Sequence, residues 1–253
     1  MKANGEYLLE VRDLRKSYGE TRALRGLDLR GRAGTVHTVF GENGSGKSTM
    51  VKILSGIIAP DGGDILLNGT PIHRYEPKAI HNLGIVPVLQ EVLIAPNRSV
   101  LDNIFLGFDG LLRRKISRSK RYEVAAATLA NITNTRIDLD AVAGTLPLAQ
   151  QQLVVIARAF VYAPRILILD EATAALDIEE RDTLFKAVNQ FVADGRLVIF
   201  ISHRVDEVLQ LSHDVTVLHI GRNIASVPRE ELSAARLLDL VSSAAKFAEE
   251  ESS

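Results

Sequence analysis

Residues 41–49 read Gly41-Glu42-Asn43-Gly44-Ser45-Gly46-Lys47-Ser48-Thr49, the pattern of a phosphate-binding loop. The apolar run from Thr35 to Phe40 predicts a strand before this loop, and residues 47–56 predict a helix after it. The glycines let successive backbone N–H groups face one anion, and the helix adds its positive amino-terminal end. A chance match in a chain of this size is a rare accident, on the order of one in a thousand. The stretch therefore predicts that Lys47 reaches the β- and γ-phosphates of a nucleotide and that Ser48 ligates Mg²⁺.

Two further strand tips carry groups that suit phosphate chemistry. Residues 166–169 predict a buried strand that ends in two carboxylates, Asp170 and Glu171. Asp170 fits the acid that such an enzyme needs beside Mg²⁺, acting through a water, and Glu171 is placed to polarise the attacking water. His203 follows a predicted strand at residues 198–202, where open α/β sheets place ligands, so it can contact the γ-phosphate or orient the water. A solvated acidic turn and a structural histidine are the alternatives from position alone.

The rest of the chain alternates between strand and helix patterns. Residues 91–163 have mostly helical texture, and residues 215–227 predict a hairpin. Further strands are predicted at residues 8–11, 23–29, 65–67 and 83–89. This alternation predicts an α/β core with a mainly parallel sheet and an inserted helical subdomain.

Composition narrows the class of protein. The chain has 253 residues and a formal net charge of −1, which disfavours a dedicated nucleic-acid binder. It contains no cysteine, which excludes disulfides and Cys-based metal sites. It also has neither an apolar signal core at its start nor a run of about 18 apolar residues. We therefore expect the chain to serve any membrane process from the water side.

In their order along the chain, these motifs resemble the nucleotide-binding cassette of ABC transporters over residues 8 to about 227. The resemblance implies that the loop binds ATP with Mg²⁺. It also implies that Asp170 is the metal-associated acid, Glu171 the catalytic base and His203 the switch histidine. Gln90 matches the glutamine that contacts Mg²⁺ and water and senses the permease, and Tyr18 matches the aromatic residue that stacks on adenine.

Two segments match family parts that act across a dimer, because the family builds each ATP site from two cassettes. Leu146-Pro147-Leu148-Ala149-Gln150 occupies the signature position. Leu148, Ala149 and Gln150 are therefore expected to face the nucleotide held by the other cassette. Asp177 matches the loop that communicates across the dimer.

The resemblance also implies a fold. It is the α/β fold of phosphate-loop ATPases, with a RecA-like mixed core sheet, an N-terminal antiparallel β subdomain and a helical subdomain. We expect one nucleotide-binding domain over residues 1–253. The expected parts are the core with the β subdomain at 1–90 and 163–230, the helical subdomain at 91–162, and a C-terminal helix and tail at 231–253.

A finer resemblance points to the carbohydrate-uptake branch, carried by residues 90–91, 99–107, 150–159 and 201–208. It implies the ATP-binding subunit of an importer that takes up a pentose or hexose through a separate permease. The permease is expected to dock near Gln90 and the helical subdomain, at the cytoplasmic side of the membrane, with a solute-binding protein as an indirect partner. Nucleoside importers have closely similar cassettes and are the alternative.

The sequence departs from this branch in two ways. Such proteins usually carry two cassettes on a chain of about twice this length, so this cassette is expected to pair with itself or with a related one. The family signature is Leu-Ser-Gly-Gly-Gln, whereas Pro147, Leu148 and Ala149 replace the serine and both glycines here. We therefore expect slower ATP hydrolysis, and a regulatory cassette that needs a partner is a further alternative. A translation or repair ATPase and an exporter cassette fit the sequence less well.

Overall fold

The computed structural model describes residues 7–107 and 116–250, with side chains as far as residue 243. The predicted domain range also includes residues 1–6, 108–115 and 251–253, which lie outside the described residues. The strands are β1 (Leu9–Tyr18), β2 (Thr21–Gly31), β3 (Val36–Phe40), β4 (Gly62–Leu67), β5 (Thr70–Pro71), β6 (Ile85–Val88), β7 (Ile166–Asp170), β8 (Leu197–Ser202), β9 (Asp214–His219) and β10 (Arg222–Pro228). The helices are α1 (Lys47–Leu54), α2 (Pro77–Asn82), α3 (Val100–Ile104), α4 (Arg118–Ile132), α5 (Leu148–Val161), α6 (Ile178–Ala193), α7 (Val205–Leu211) and α8 (Ala234–Glu250).

The larger sheet has six strands in the order β10-β9-β3-β8-β7-β6. Five of them are parallel, and β10 joins β9 as an antiparallel hairpin. Every residue of β3, β7 and β8 is buried, which explains why β7 and β8 are almost continuous apolar runs. In β3, the buried His37 bonds to Thr216 and the buried Thr38 bonds to Ser212. Pro87 lies in β6 at the edge of the sheet, the position where a residue without a backbone N–H is tolerated.

The two faces of this sheet pack against different layers, because successive side chains of a strand point to opposite sides. Leu167, Leu169 and Phe200 belong to a core shared with α3, α4, α5 and α6. Ile166, Ile168 and the odd-numbered residues of β8 belong to a second core, shared with α1 and the smaller sheet. The mixed sheet is therefore covered on both faces, as a largely parallel sheet requires.

The smaller sheet is antiparallel, with strand order β2-β1-β4-β5. Its inward side chains, such as Leu9, Leu14 and Leu27, are buried, and polar residues alternate with them. The predicted fold class is confirmed, namely a mixed core sheet, an antiparallel β layer and helices between β6 and β7. Among the described residues, no helix combines the length and apolar character needed to cross a bilayer.

Candidate nucleotide-binding site

Four of the predicted functional segments follow the carboxyl ends of four neighbouring parallel strands. In the order β3-β8-β7-β6, these strands lead into the phosphate loop, His203, Glu171 and Gln90. Parallel strands bring their carboxyl ends to one edge of the sheet, which is where open α/β sheets bind ligands. Segments up to 160 residues apart in sequence therefore meet at one place.

The phosphate loop is packed so closely that two of its glycines are needed for space. A Cβ on Gly41 would lie 2.3 Å from the carbonyl oxygen of Leu218, and a Cβ on Gly46 would lie 2.7 Å from that of Ala23. Gly46 also has a φ of 109°, in the left-handed region that favours glycine. The loop is tied to the β9–β10 hairpin, since Gly221 N donates to Ser45 O at 2.8 Å. Its conformation is thus fixed by the surrounding protein.

Lys47 begins α1 and is buried inside the loop. Its Nζ donates to the carbonyl oxygens of Gly41 at 2.8 Å and Glu42 at 2.7 Å. Burial lowers the pKa of Lys47, while the nearby charges of Glu171, Asp170 and Glu42 act in the opposite direction. An ammonium group held by loop carbonyls is well placed to meet phosphate oxygens that approach the same loop.

Asp170 is the last residue of β7 and is only 6% exposed. Burial and the neighbouring charge of Glu171 together raise its pKa from 3.8 to about 6, against the opposing effect of Lys47 and Lys52. The two lysines compensate the buried negative charge only in part, and a bound divalent cation would supply the remaining positive charge. The chemistry of the site therefore fits Mg²⁺ held partly by Asp170. No group of three or more His, Asp or Glu side chains that could hold a metal by itself occurs in the described ranges.

Glu171 stands between two of the predicted side chains. Its Oε1 is 3.1 Å from Nδ1 of His203, and its Oε2 accepts a hydrogen bond of 3.3 Å from Nε2 of Gln90. A carboxylate can only accept, so this pairing places the proton of His203 on Nδ1. Glu171 has a φ of 48°, in the left-handed region that a residue with a side chain adopts only at an energetic cost.

Most of the predicted residues at this edge line one cavity of about 520 Å³, whereas Asp170, Gly41, Glu42 and Ser45 are not among its lining residues. The predicted residues that line it are Asn43, Gly44, Gly46, Lys47, Ser48, Thr49, Gln90, Glu171 and His203. Five lining residues were not predicted: Thr21, Arg22, Ala23 and Arg25 from the start of β2, and Ile220 from the β9–β10 turn. These five residues belong to no local sequence motif, because they reach the cavity only through the packing of the small sheet and the β9–β10 turn against the phosphate loop.

The structure places the other predicted residues elsewhere. Tyr18 is exposed at the β1–β2 turn, where it pairs with the lining residue Thr21 but does not itself line the cavity. Asp177 caps α6, with its side chain accepting from Glu180 N at 2.8 Å. Leu148, Ala149 and Gln150 form the first turn of α5 and do not line the cavity either. Within a single chain, the signature segment is thus separate from the phosphate loop.

A second cavity of about 510 Å³ lies at the amino ends of β3 and β9, away from all predicted site residues. Two of its charged groups pair with each other, since Arg32 donates to both carboxylate oxygens of Asp214 at 2.9 and 3.0 Å. We assign the chemistry to the first cavity, because only that one combines a phosphate loop with acidic and basic side chains.

Comparison with known proteins agrees with this geometry. The sequence profile of the ABC transporter family matches residues 24–174. The chain is 42% identical over 240 residues to the ribose import ATP-binding protein RbsA of Burkholderia pseudomallei. It is 38% identical over 236 residues to the ribose import ATP-binding protein RbsA 1 of Rhizobium johnstonii. These alignments cover 92% and 93% of this chain and 46% of each relative, so the chain spans slightly less than half of their length.

Solved structures give the same answer for the fold. An ATP-binding cassette of an ABC transporter in its ADP conformation superposes with a TM-score of 0.78 at 26% identity, covering 92% of this chain and 98% of that one. A dimeric ATP-binding cassette bound to ADP and Pi has a TM-score of 0.80 at 23% identity, covering 87% and 98%, and it supports the fold alone. The chain is therefore a member of the ABC transporter family, with the fold of that family's ATP-binding cassettes.

Proposed function

We propose that this chain binds and hydrolyses MgATP in a dimer of cassettes, as the ATP-binding subunit of a sugar importer. The observation that carries the proposal is the position of Glu171, which contacts both Gln90 and His203 in the cavity lined by Lys47. A phosphate-binding lysine facing a hydrogen-bonded carboxylate is the pair of groups that attack of water on a γ-phosphate needs.

Each residue has a defined role in this proposal. The loop amides and Lys47 bind the phosphates, and Tyr18 stacks on the adenine. Ser48, Gln90 and Asp170 would hold Mg²⁺, with Asp170 acting through a water. Mg²⁺ neutralises charge on the β- and γ-phosphates when it is bound.

The reaction itself belongs to the groups around Glu171. Its carboxylate orients and polarises the attacking water, and Gln90 restricts the carboxylate through Oε2. His203 fixes the other carboxylate oxygen, and its ring also reaches toward the γ-phosphate. Exclusion of bulk water would come from closure of the second cassette over the cavity.

A second cassette completes the site in this proposal. Leu148 is 60% exposed at the amino end of α5, so this helix end is free to face another molecule. Pro147 occupies the N-cap position of α5 and contributes neither a hydroxyl nor an N–H, so the amides of the first helical turn are the donors available. A solved cassette of similar fold is described as a dimer with ADP and Pi.

The partners and the substrate follow from the relatives. Two proteins of about 40% identity are named for ribose import, so a pentose is the first candidate and another monosaccharide the second. A permease would dock on the segment that begins at Gln90 and continues through the proposed helical subdomain, residues 91–162, where Leu93 and Leu106 are exposed. Docking there would hold the cassette at the cytoplasmic side of the membrane, and the solute-binding protein would act through the permease.

Steady-state ATP hydrolysis by the purified chain tests this proposal, with Glu171→Gln as the matched control. Mg²⁺-dependent turnover that rises steeply with protein concentration and is abolished in the control is the expected result. ATP binding without turnover would favour a regulatory cassette that needs a partner. Failure to bind ATP at all would overturn the proposal. Reconstitution with the neighbouring permease and radiolabelled ribose or a nucleoside would separate the two importer classes.

A further inference from the structure

A buried glutamate joins the segments that carry Glu171 and His203. Glu207 lies in the first turn of α7 and is 1% exposed. Its Oε1 accepts a hydrogen bond of 2.9 Å from Oγ1 of Thr173, and its Oε2 accepts one of 2.6 Å from Oγ of Ser202. Thr173 stands two residues after Glu171, and Ser202 immediately precedes His203. One carboxylate therefore bridges the two strand tips that hold the reactive pair.

Both carboxylate oxygens of the buried Glu207 have partners. Arg204 supplies the countercharge, with Nη1 3.2 Å from Oε1 of Glu207. The backbone N–H of Arg204 also donates to Oγ of Ser202 at 3.1 Å. Glu207 is buried while the Arg204 side chain is 42% exposed, and an ion pair that desolvates a carboxylate in this way adds little to the stability of a fold. Its distinctive contribution is a fixed geometry among the groups it joins.

The segment after β7 requires such a restraint. The φ of 48° at Glu171 persists only where surrounding contacts hold the backbone in place. Two backbone bonds do so: Glu171 N donates to Ile201 O at 3.1 Å, and Ala174 N donates to Glu171 O at 3.1 Å. The bond from Thr173 to Glu207 is a third restraint, and it connects this turn through a side chain of α7 to Ser202 at the end of β8.

We propose that Glu207 is a positioning residue for ATP hydrolysis, which holds the Glu171 carboxylate and the His203 ring in register through Thr173 and Ser202. The pair is 3.1 Å apart at Oε1 and Nδ1, and His203 is itself half exposed, so its own surroundings do little to fix it. A displacement of about 1 Å in such a pair can reduce a rate by on the order of 10²-fold. The inference rests on the proposed function for its effect on turnover.

The kinetic test compares Glu207→Ala and Glu207→Gln with Asp206→Asn. Asp206 is the adjacent residue, which accepts from Arg181 at 2.6 Å and lies 3.7 Å from Arg204. Its carboxylate takes no part in the bonds from Thr173 and Ser202, so Asp206→Asn is a control that removes a neighbouring charge and leaves both bridging hydrogen bonds in place. In Glu207→Ala we expect kcat to fall by roughly 10- to 100-fold while KM for ATP changes by less than about 3-fold, because the phosphate loop is untouched. Glu207→Gln, which retains one acceptor oxygen, should lose less, and Asp206→Asn should stay within about 2-fold of the wild type. In a His203→Ala background, Glu207→Ala should cause little further loss of kcat.

A second measurement does not depend on turnover. The ¹⁵N resonances of the His203 ring, assigned with His203→Gln, should shift in Glu207→Ala toward their values in Glu171→Gln, because both changes release the ring from its carboxylate. Thr173→Val removes only the hydroxyl and should produce the same shift if Glu207→Ala does not fold. Unchanged ring resonances in a folded variant would overturn the inference, as would an equal loss of kcat with and without His203. A wild-type protein that fails to bind ATP would overturn the proposed function, and one that binds ATP without turnover would favour a regulatory cassette; the resonance test of Glu207 stays in force in both cases.

Discussion

The phosphate-loop edge and the signature segment are the two halves of one expected ATP site, and they are built in opposite ways. At the loop edge, the side chains are hydrogen-bonded or buried within one chain, as seen for Lys47, Asp170 and Glu171. The signature segment lies at an open helix end, and its Leu148 is largely exposed. The first half is determined by the chain itself, whereas the second acquires its function from another molecule. Substitutions at the phosphate-loop edge should therefore act through contacts within one cassette, whereas substitutions in the signature segment should act only when two cassettes pair.

The largest effect is expected at Glu171. Glu171→Gln keeps the shape of the side chain but removes the group that polarises water, so turnover should fall by about 10²- to 10⁴-fold. Affinity for ATP should change by less than about 3-fold, because Lys47 and the loop amides remain. Turnover and equilibrium ATP binding, measured on the same preparation, check this prediction. A parallel loss of both quantities would contradict the assigned role.

The tightness of the loop edge can be tested with two glycines that both have positive φ. Gly46→Ala adds a methyl group 2.7 Å from the carbonyl oxygen of Ala23, whereas a Cβ on Gly44 meets nothing within 4 Å. Both changes strain the backbone, and the additional clash should cost Gly46→Ala about 1–3 kcal/mol more in free energy of unfolding. Urea denaturation of both variants measures the difference. Equal losses would show that the loop has room to adjust.

Much of this edge could be predicted from sequence because local motifs encode it. The strand–loop–helix at 36–54 and the acidic tip of β7 each combine a pattern with a chemistry in consecutive residues. Ala23 and Ile220 were missed, because they reach the cavity only through the packing of β2 and the β9–β10 turn. Glu207 was likewise missed as a bridge, since its partners Thr173 and Ser202 are joined by tertiary contacts alone.

The buried charge at the loop edge should also cost stability in the free protein. The folded-state pKa of Asp170 is about 6, above its ordinary 3.8, so the folded protein binds a proton more tightly than the unfolded chain. The stabilisation that comes from protonating Asp170 in the folded protein is therefore lost as pH rises from about 4 to 6. Without metal or nucleotide, Asp170→Asn should raise the free energy of unfolding by about 1–3 kcal/mol at pH 7, and by little near pH 4.

The control for this pH dependence has the opposite sign. The side-chain hydrogen bond from Lys16 and the backbone bond from Ser17 lower the pKa of Asp61, so its contribution is present above the ordinary pKa and is lost as pH falls. Asp61→Asn should thus destabilise the protein at pH 7. Urea unfolding of both variants across pH 4–8 separates the two cases. A destabilised Asp170→Asn would refute the account of uncompensated charge.

The signature segment should give the smallest and most conditional effect. Pro147→Ser with Leu148→Gly and Ala149→Gly would restore a hydroxyl and permit close backbone approach to a phosphate held by the opposite cassette. One charge-assisted hydrogen bond is worth about 1.5–3 kcal/mol, and the amides of α5 already supply part of the field, so turnover should rise by about 10-fold. The gain should appear only at protein concentrations that support pairing, whereas the loss of stability in Gly46→Ala belongs to each cassette. Val142→Ser, which alters another exposed apolar residue before α5, is the control and should leave the rate unchanged. A triple variant no faster than the wild type at saturating protein concentration would mean that the helix amides alone suffice, so the substituted signature would not be what limits hydrolysis.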